Sequence, residues 1–263
     1  MDVQELILLA DLNYIEAMRD QTRAGAGTII EEDGMCLMMG SDSHPILNVA
    51  VRLDPQAEAG ECIEVAQGLF DAGRHGYTLI LRNSTDDSDL KATATRAGLV
   101  SLLSPPEMIL YSPIDESPLP DGVEVREVRD DGGITDFVSV AGDAWTTYGI
   151  PPDVTSKALG GKWLHGAPHV RAVVTYYEGN PSSCALVHAS HGIAGVFWVS
   201  TAGDARGKGL GEISTRAVSN LGFDLGARLV SLQASPMGES IYRKMGYEQI
   251  AKYELLASLG PQN

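Results

Sequence analysis

The sequence is poor in three things, and each absence removes a class of answers. Cysteine occurs only three times, at Cys36, Cys62 and Cys184. That number is odd, the spacing is wide and there is no CxxC pair, which argues against a disulfide framework or a zinc site and suits a reducing cytoplasm. Basic charge is scarce: 19 Lys+Arg stand against 35 Asp+Glu, a net charge of −16. Nucleic acid and anionic membranes need phosphate-neutralising cations, so neither is expected as a partner. Long apolar runs are missing as well, and nothing approaches the roughly 18 uninterrupted residues of a membrane span. The opening segment MDVQELILLADLNYIEAMRD has no basic start and no small-residue cleavage site, so it reads as a first helix, not a signal peptide.

What is present is an ordinary globular composition, 44% hydrophobic and 21% charged over 263 residues. The acidity is concentrated in the first half, where residues 1–120 hold 20 acids and 7 bases; residues 121–263 hold 15 and 12. The stretch SPIDESPLPDG, residues 112–122, packs prolines, acids and a glycine between two apolar-patterned regions, the composition of an exposed connection. It divides the chain into a domain at 1–115, a linker at 116–122 and a second domain at 123–263.

In the second domain the pattern predicts a strand at VEVREV and a helix at ITDFVSVAGDAWTTY, then strands at RAVVTYY, CALVHAS and GIAGVFWVST. A helix from Gly209 to Leu225, a strand ARLVSLQ, a short helix GESIYRKM ended by Gly246 and a strand AKYELLA follow. The first half closes in the same order. Setting Gly60 against Gly211 and Gly98 against Gly246 aligns GECIEVAQGLFDAGRHGYTLILRN with GEISTRAVSNLGFDLGARLVSLQA, consistent with an internal duplication.

The loop RGKGLG, residues 206–211, carries the chemistry. It is not a nucleoside triphosphate loop, since only three residues separate Gly203 from Gly207 and Lys208 is followed by Gly209 in place of Ser or Thr. Nor is it a dinucleotide fingerprint, because Gly207, Gly209 and Gly211 are spaced GxGxG. Three absent side chains still let main-chain amides approach a ligand, and the helix that follows begins with amides that have no partner and about half a positive charge. Arg206 and Lys208 add full charges. An anion such as a diphosphate fits there.

The run Val199 to Gly211, the strand ending QASPMG and the segment ESIYRKMGY resemble the GNAT superfamily of N-acetyltransferases, over residues 123–263. The resemblance implies an α/β (α+β) fold: two GNAT-like domains, each a mixed, mostly antiparallel central sheet flanked by helices. It implies acetyl-CoA as cosubstrate, with no metal. Val199, Ser200 and Thr201 would bond the pantetheine arm through their backbone, and an amide near Val199 would polarise the thioester carbonyl. Arg206, Gly207, Lys208, Gly209, Leu210, Gly211 and Glu212 would wrap the diphosphate. Ser235 stands where the family often has an Asn on the cofactor, although a Ser before Pro236 also suits a helix-opening turn. Tyr242, in IYRKMGY, matches the family's tyrosine and would protonate the leaving thiolate; a packing role is its other reading.

Acetyl transfer to an amine requires a neutral nucleophile, and deprotonating a lysine-like amine at pH 7 costs about 4 to 5 kcal/mol. A base is therefore desirable, with His188, His191 and Glu178 as candidates. Cys184 reads as a small buried hydrophobe, and HGAPH, residues 165–169, as no metal site. Residues 146–166 lie where the family places its acceptor-binding elements, with Trp145, Tyr148 and Trp163 as contacts if they are not core. In the first half the loop positions read PQAEAG: Pro55 removes an amide and Glu58 would repel phosphate. Ala94 replaces Tyr242. That half is expected to be non-catalytic, shaping the cleft or an oligomer interface, which leaves a homodimer open. The expected activity is transfer to a small-molecule amine in a ternary complex; an acyl-CoA-binding sensor and a protein acetyltransferase are the alternatives.

Overall fold

A computed structural model describes residues 1–159, 161 and 163–260. Two compact units result, one built from Met1–Pro106 with Ile250–Asn263 and the other from Glu107–Gln249.

The first unit opens with helix α1 (Val3–Ala24), started by the Asp2 carboxylate, which accepts the Glu5 amide at 2.8 Å. Strands β1 (Thr28–Glu32) and β2 (Met35–Met39) follow, then β3 (Asn48–Arg52), helix α2 (Ala59–Ala72), β4 (Tyr77–Leu81), helix α3 (Ser88–Arg96) and β5 (Val100–Leu103). The sheet is completed by the last strand of the chain, β13 (Glu254–Ser258), in the order β1-β2-β3-β4-β13-β5. Only β3 and β4 run parallel. Alternation along β2 sets the two faces. Cys36 and Met38 meet Ile15 of α1, whereas Met35 and Leu37 meet Cys62, Ala66 and Phe70 of α2.

The second unit holds β6 (Pro106–Leu110, entering at Glu107), β7 (Val123–Glu127), helices α4 (Asp131–Trp145), α5 (Pro152–Leu159) and α6 (Trp163–Gly166), and strands β8 (Val170–Tyr177), β9 (Asn180–Ser190) and β10 (Ile193–Thr201). Helix α7 (Leu210–Asp224), β11 (Val230–Gln233), helix α8 (Glu239–Lys244) and the start of β12 (Glu248–Lys252, leaving the unit after Gln249) complete the set. The seven strands run β12-β6-β11-β10-β9-β8-β7, with β10 and β11 parallel. The turns of β8–β9 and β9–β10 are the pairs Glu178-Gly179 and His191-Gly192, all four at positive φ, the two-residue geometry whose twist matches flanking strands. On β9, Ser183 bonds Ser214 of α7 while Cys184 lies 3.6 Å from the Phe137 carbonyl of α4. The two helices thus cover opposite faces of the sheet.

Two sequence-based expectations are corrected. The division at 116–122 separates neither sheet: β6 lies before it yet pairs with β11 (Val230↔Leu110 to Gln233↔Glu107), and β13 lies after it yet pairs with β4 and β5. Proline and acid content mark exposed chain, but strand membership is settled by long-range register, which composition does not carry. Nor is the connection free. Asn220 exchanges two 2.9 Å hydrogen bonds with the Ile114 backbone, and Arg216 reaches the Asp115 carbonyl at 2.8 Å. The second correction concerns AKYELLA, which is not one strand. It breaks at Tyr253, whose hydroxyl donates to Asp11 at 2.6 Å inside the first unit.

Candidate functional site

The expected site residues from Val199 to Glu212 form one continuous strand, loop and helix start. The parallel register of β10 with β11 runs from Ala194↔Val230 to Val196↔Leu232 and stops, while β10 continues to Thr201. Its antiparallel register with β9 shifts between Phe197 and Ser200. Trp198 sits in that bulge at φ +56°, a left-handed conformation that costs a bulky residue about 1–2 kcal/mol. Aromatic packing holds it there. The indole of Trp145, at the end of α4, lies 4.7 Å from that of Trp198, and Tyr148 lies 5.6 Å from Trp145. Trp145 Nε1 donates to Ser200 Oγ at 3.0 Å, and that hydroxyl donates to the Trp198 carbonyl at 3.1 Å. Sequence reasoning missed Trp198; its only local signal was a bulky aromatic inside the otherwise regular GVFWVST.

Beyond Thr201 a short 3-10 turn, Gly203–Ala205, leads to the glycines. Gly207 and Gly209 have φ +79° and +76°, and a Cβ at either would meet no atom within 4 Å. Gly209 is the N-cap of α7 with no side-chain bond to the helix amides. No side chain of the N-cap residue therefore satisfies the first amides of α7, which lie at the helix's positive end. Gly211 serves differently: a Cβ there would lie 3.0 Å from Thr201 Oγ1, so its absence lets α7 close on the strand.

The two cations are less free than the sequence suggested. Arg206 donates to Thr147 Oγ1 at 2.7 Å, and Lys208 Nζ donates to the Asp204 carbonyl at 2.8 Å, standing 5.3 Å from the centre of the Tyr177 ring. Asp143 accepts the Gly203 amide at 2.7 Å and the Ala144 carbonyl accepts Arg206 Nη2 at 3.4 Å, so the loop is latched to α4 at two points. Glu212 pairs with Arg216 at 2.8 Å, which offsets its negative charge next to the cradle. Leu210 is buried and anchors the helix start.

Tyr242, on α8, is 8% exposed. Burial pushes its phenol up to about 12, against the opposing hydrogen bond of the Thr215 hydroxyl, with Tyr148 adding to the rise. It is a protonated phenol at neutral pH. Thr215 Oγ1 in turn donates to the Gly211 carbonyl at 2.8 Å, so this tyrosine is tied to the first turns of α7. Gly238 makes room for it, since a Cβ there would come within 2.6 Å of the ring. Ser235 Oγ accepts the Gly238 amide at 3.2 Å, the turn role that was one of its two readings.

The base candidates do not gather at the bulge. His188 is fully buried on β9 opposite Gly195, its ring 5.0 Å from that of His169. His191 occupies the turn before Ile193, at the far end of β10, roughly 25 Å from Val199 at 3.3 Å per residue. Glu178 lies exposed in the β8–β9 turn. Burial pushes the Cys184 thiol well above its usual range, so no thiolate is available there. His165 faces Asp131 at 3.8 Å. In the acceptor segment 146–166, Trp163 falls on α6, while Gly160 and Lys162 lie outside the described residues. A separate hollow of about 320 Å³, lined by Ile30, Leu37, Val65 and Leu69, lies in the first unit and contains none of these groups. No helix among the described residues is long and apolar enough to cross a membrane.

No protein-family model matches the sequence, and no curated protein matches it significantly. Solved structures do. A GCN5-related N-acetyltransferase from Kribbella flavida superposes with a TM-score of 0.71 at 20% identity, over 94% of this chain and 95% of that one. One from Sphaerobacter thermophilus gives 0.64 at 12% identity, over 90% and 77%. A tandem GNAT protein from the clavulanic acid biosynthesis pathway gives 0.57 at 16%, over 87% and 79%. The two helix-flanked mixed sheets of this chain are the fold of the GCN5-related N-acetyltransferases, in the two-unit form.

Proposed function

We propose that the chain is an acetyl-CoA-dependent N-acetyltransferase of the GNAT superfamily that acts on a small-molecule amine by direct transfer in a ternary complex. The observation that carries this reading is the uncapped start of α7 behind Gly207 and Gly209, two positions with open space where a side chain would stand. That cradle suits a diphosphate through main-chain donors and the helix's positive end, with Lys208 in the same loop held on the Asp204 carbonyl.

Acetyl-CoA supplies the activated acyl group as a thioester. The end of β10 from Val199 to Thr201, beyond the last register pair with β11 at Val196↔Leu232, suits an extended amide chain added as a strand. A backbone amide near Val199, beside the bulge, is the donor that would polarise the thioester carbonyl. Tyr242 holds the proton for the departing thiolate. Trp145 and Tyr148, packed at the bulge, form the acceptor side. The first unit is non-catalytic.

Incubating the purified chain with acetyl-CoA and a panel of small amines, and following free thiol, tests the reading. Amine-dependent thiol release supports it. Binding of CoA with no turnover on any amine would make the protein a sensor instead, and turnover on peptides alone would move the acceptor to protein.

A further inference from the structure

Beneath the bulge lies a row of buried hydroxyls that the proposed mechanism does not use. Thr175 Oγ1 lies 2.7 Å from Ser214 Oγ, Ser214 Oγ lies 3.0 Å from Ser183 Oγ, and Ser183 Oγ lies 2.7 Å from the Ser200 carbonyl oxygen. Thr175, Ser183 and Ser214 are each fully buried. A carbonyl can only accept, so the single Ser183 proton goes to Ser200. Ser214 must then donate to Ser183, and Thr175 to Ser214. Thr201 Oγ1, 3.2 Å from Ser183 Oγ, joins the row by donating to the same oxygen. Four elements meet in this one-way chain: β8, β9, α7 and the last residues of β10.

We propose that Ser183, backed by Ser214 and Thr175, is a positioning residue for the cofactor strand, a role that rests on the acetyl-CoA reading of the site. In a planar trans peptide the carbonyl and the next amide point in opposite directions. Pinning the Ser200 carbonyl toward Ser183 therefore fixes the direction of the Thr201 amide and the plane of the peptide next to the bulge. The strand there has lost the β11 ladder on its other side, so the hydroxyl chain replaces a constraint that β11 supplies only as far as Val196. Each oxygen in the chain is desolvated, and removing one hydroxyl strands its neighbours without a partner.

The test compares Ser183→Ala, Thr175→Val and the conservative Thr175→Ser with a Val173→Ala control, a buried truncation on β8 that removes none of these hydroxyls. Two readouts are taken: KM for acetyl-CoA against kcat, and amide hydrogen exchange over residues 199–202. Ser183→Ala is expected to raise KM at least tenfold with kcat within threefold, and to speed exchange in that segment at least fivefold. Thr175→Val should move both in the same direction by less, and Thr175→Ser should return them to wild-type values. Unchanged KM and exchange in Ser183→Ala, or changes no larger than those of Val173→Ala, would overturn the proposal. If the wild-type chain consumes no acetyl-CoA, the functional reading fails separately, and the exchange comparison alone still decides whether Ser183 holds this peptide.

Discussion

The same strand-to-helix step is made twice in this chain, once closed and once open. In the first unit the parallel pairing of β3 with β4 ends at Val51, and α2 begins at Ala59 after seven residues, 52–58. In the second unit the pairing of β10 with β11 ends at Val196, and α7 begins at Leu210 after thirteen, 197–209. The shorter connection has no bulge and no glycine cradle. Its first residue, Arg52, is 1% exposed and turned inward, with Nε and Nη2 on Asp87 at 3.0 and 2.7 Å and Nη2 on Asp89 at 2.8 Å. Its last, Glu58, caps α2 by accepting the Glu61 amide at 3.0 Å. A carboxylate thus sits at the start of α2, where α7 has no side-chain cap. The comparison teaches that the proposed anion site requires a helix start without its own anion, a condition that α7 meets and α2 does not.

The largest expected effect breaks the closed half. Arg52→Ala leaves a buried Asp87 carboxylate uncompensated and should lower unfolding free energy by about 3–5 kcal/mol, read from urea denaturation. Next, Gly209→Val breaks the open half. A branched residue at φ +76° is strained by about 1–2 kcal/mol and puts a side chain into the cradle, so CoA affinity should fall at least a hundredfold by calorimetry while the fold persists. Tyr242→Phe should lower kcat on the order of 10- to 100-fold, the range for a single proton-transfer group, with CoA affinity unchanged. Gly238→Ala, which crowds the same ring, should lower kcat in the same sense.

Glu58→Ala sharpens the comparison by removing the resident anion alone. It should cost about 1 kcal/mol of stability as a lost cap, and it should create no second CoA site, because the connection stays short and Arg52 still fills it. The smallest effect is a pH dependence. The hydrogen bond from Arg52 holds Asp89 below the usual carboxylate range, so its folded-state pKa lies below its unfolded one. Stability from this pair is fully present above about pH 4 and is lost as pH falls through the lowered folded value. Chemical denaturation of wild type and Asp89→Asn at pH 7 and pH 3 should show the difference between them shrinking toward the acid side.

The open half was legible because its signals are local. Glycines at positive φ, a helix start without a cap residue and a tyrosine one turn into a short helix are all written within a few residues of one another. The closed half was half legible: Glu58 was flagged as repelling phosphate, and the structure shows the carboxylate occupying the helix end itself. The role of Arg52 was not legible, since its partners lie 35 and 37 residues away. The same holds for the exchange of β6 and β13 and for the bulge at Trp198, which depends on where two strands stop pairing. Ser183 fell in sequence just ahead of the expected strand CALVHAS, and its role emerged only when β8, β9 and α7 brought Thr175, Ser183 and Ser214 within hydrogen-bonding reach.

The stoichiometry of CoA binding tests the contrast between the two halves most directly. Titration calorimetry should find one CoA per wild-type chain and none in Gly209→Val; two sites per chain, or one that survives that substitution, would contradict the account.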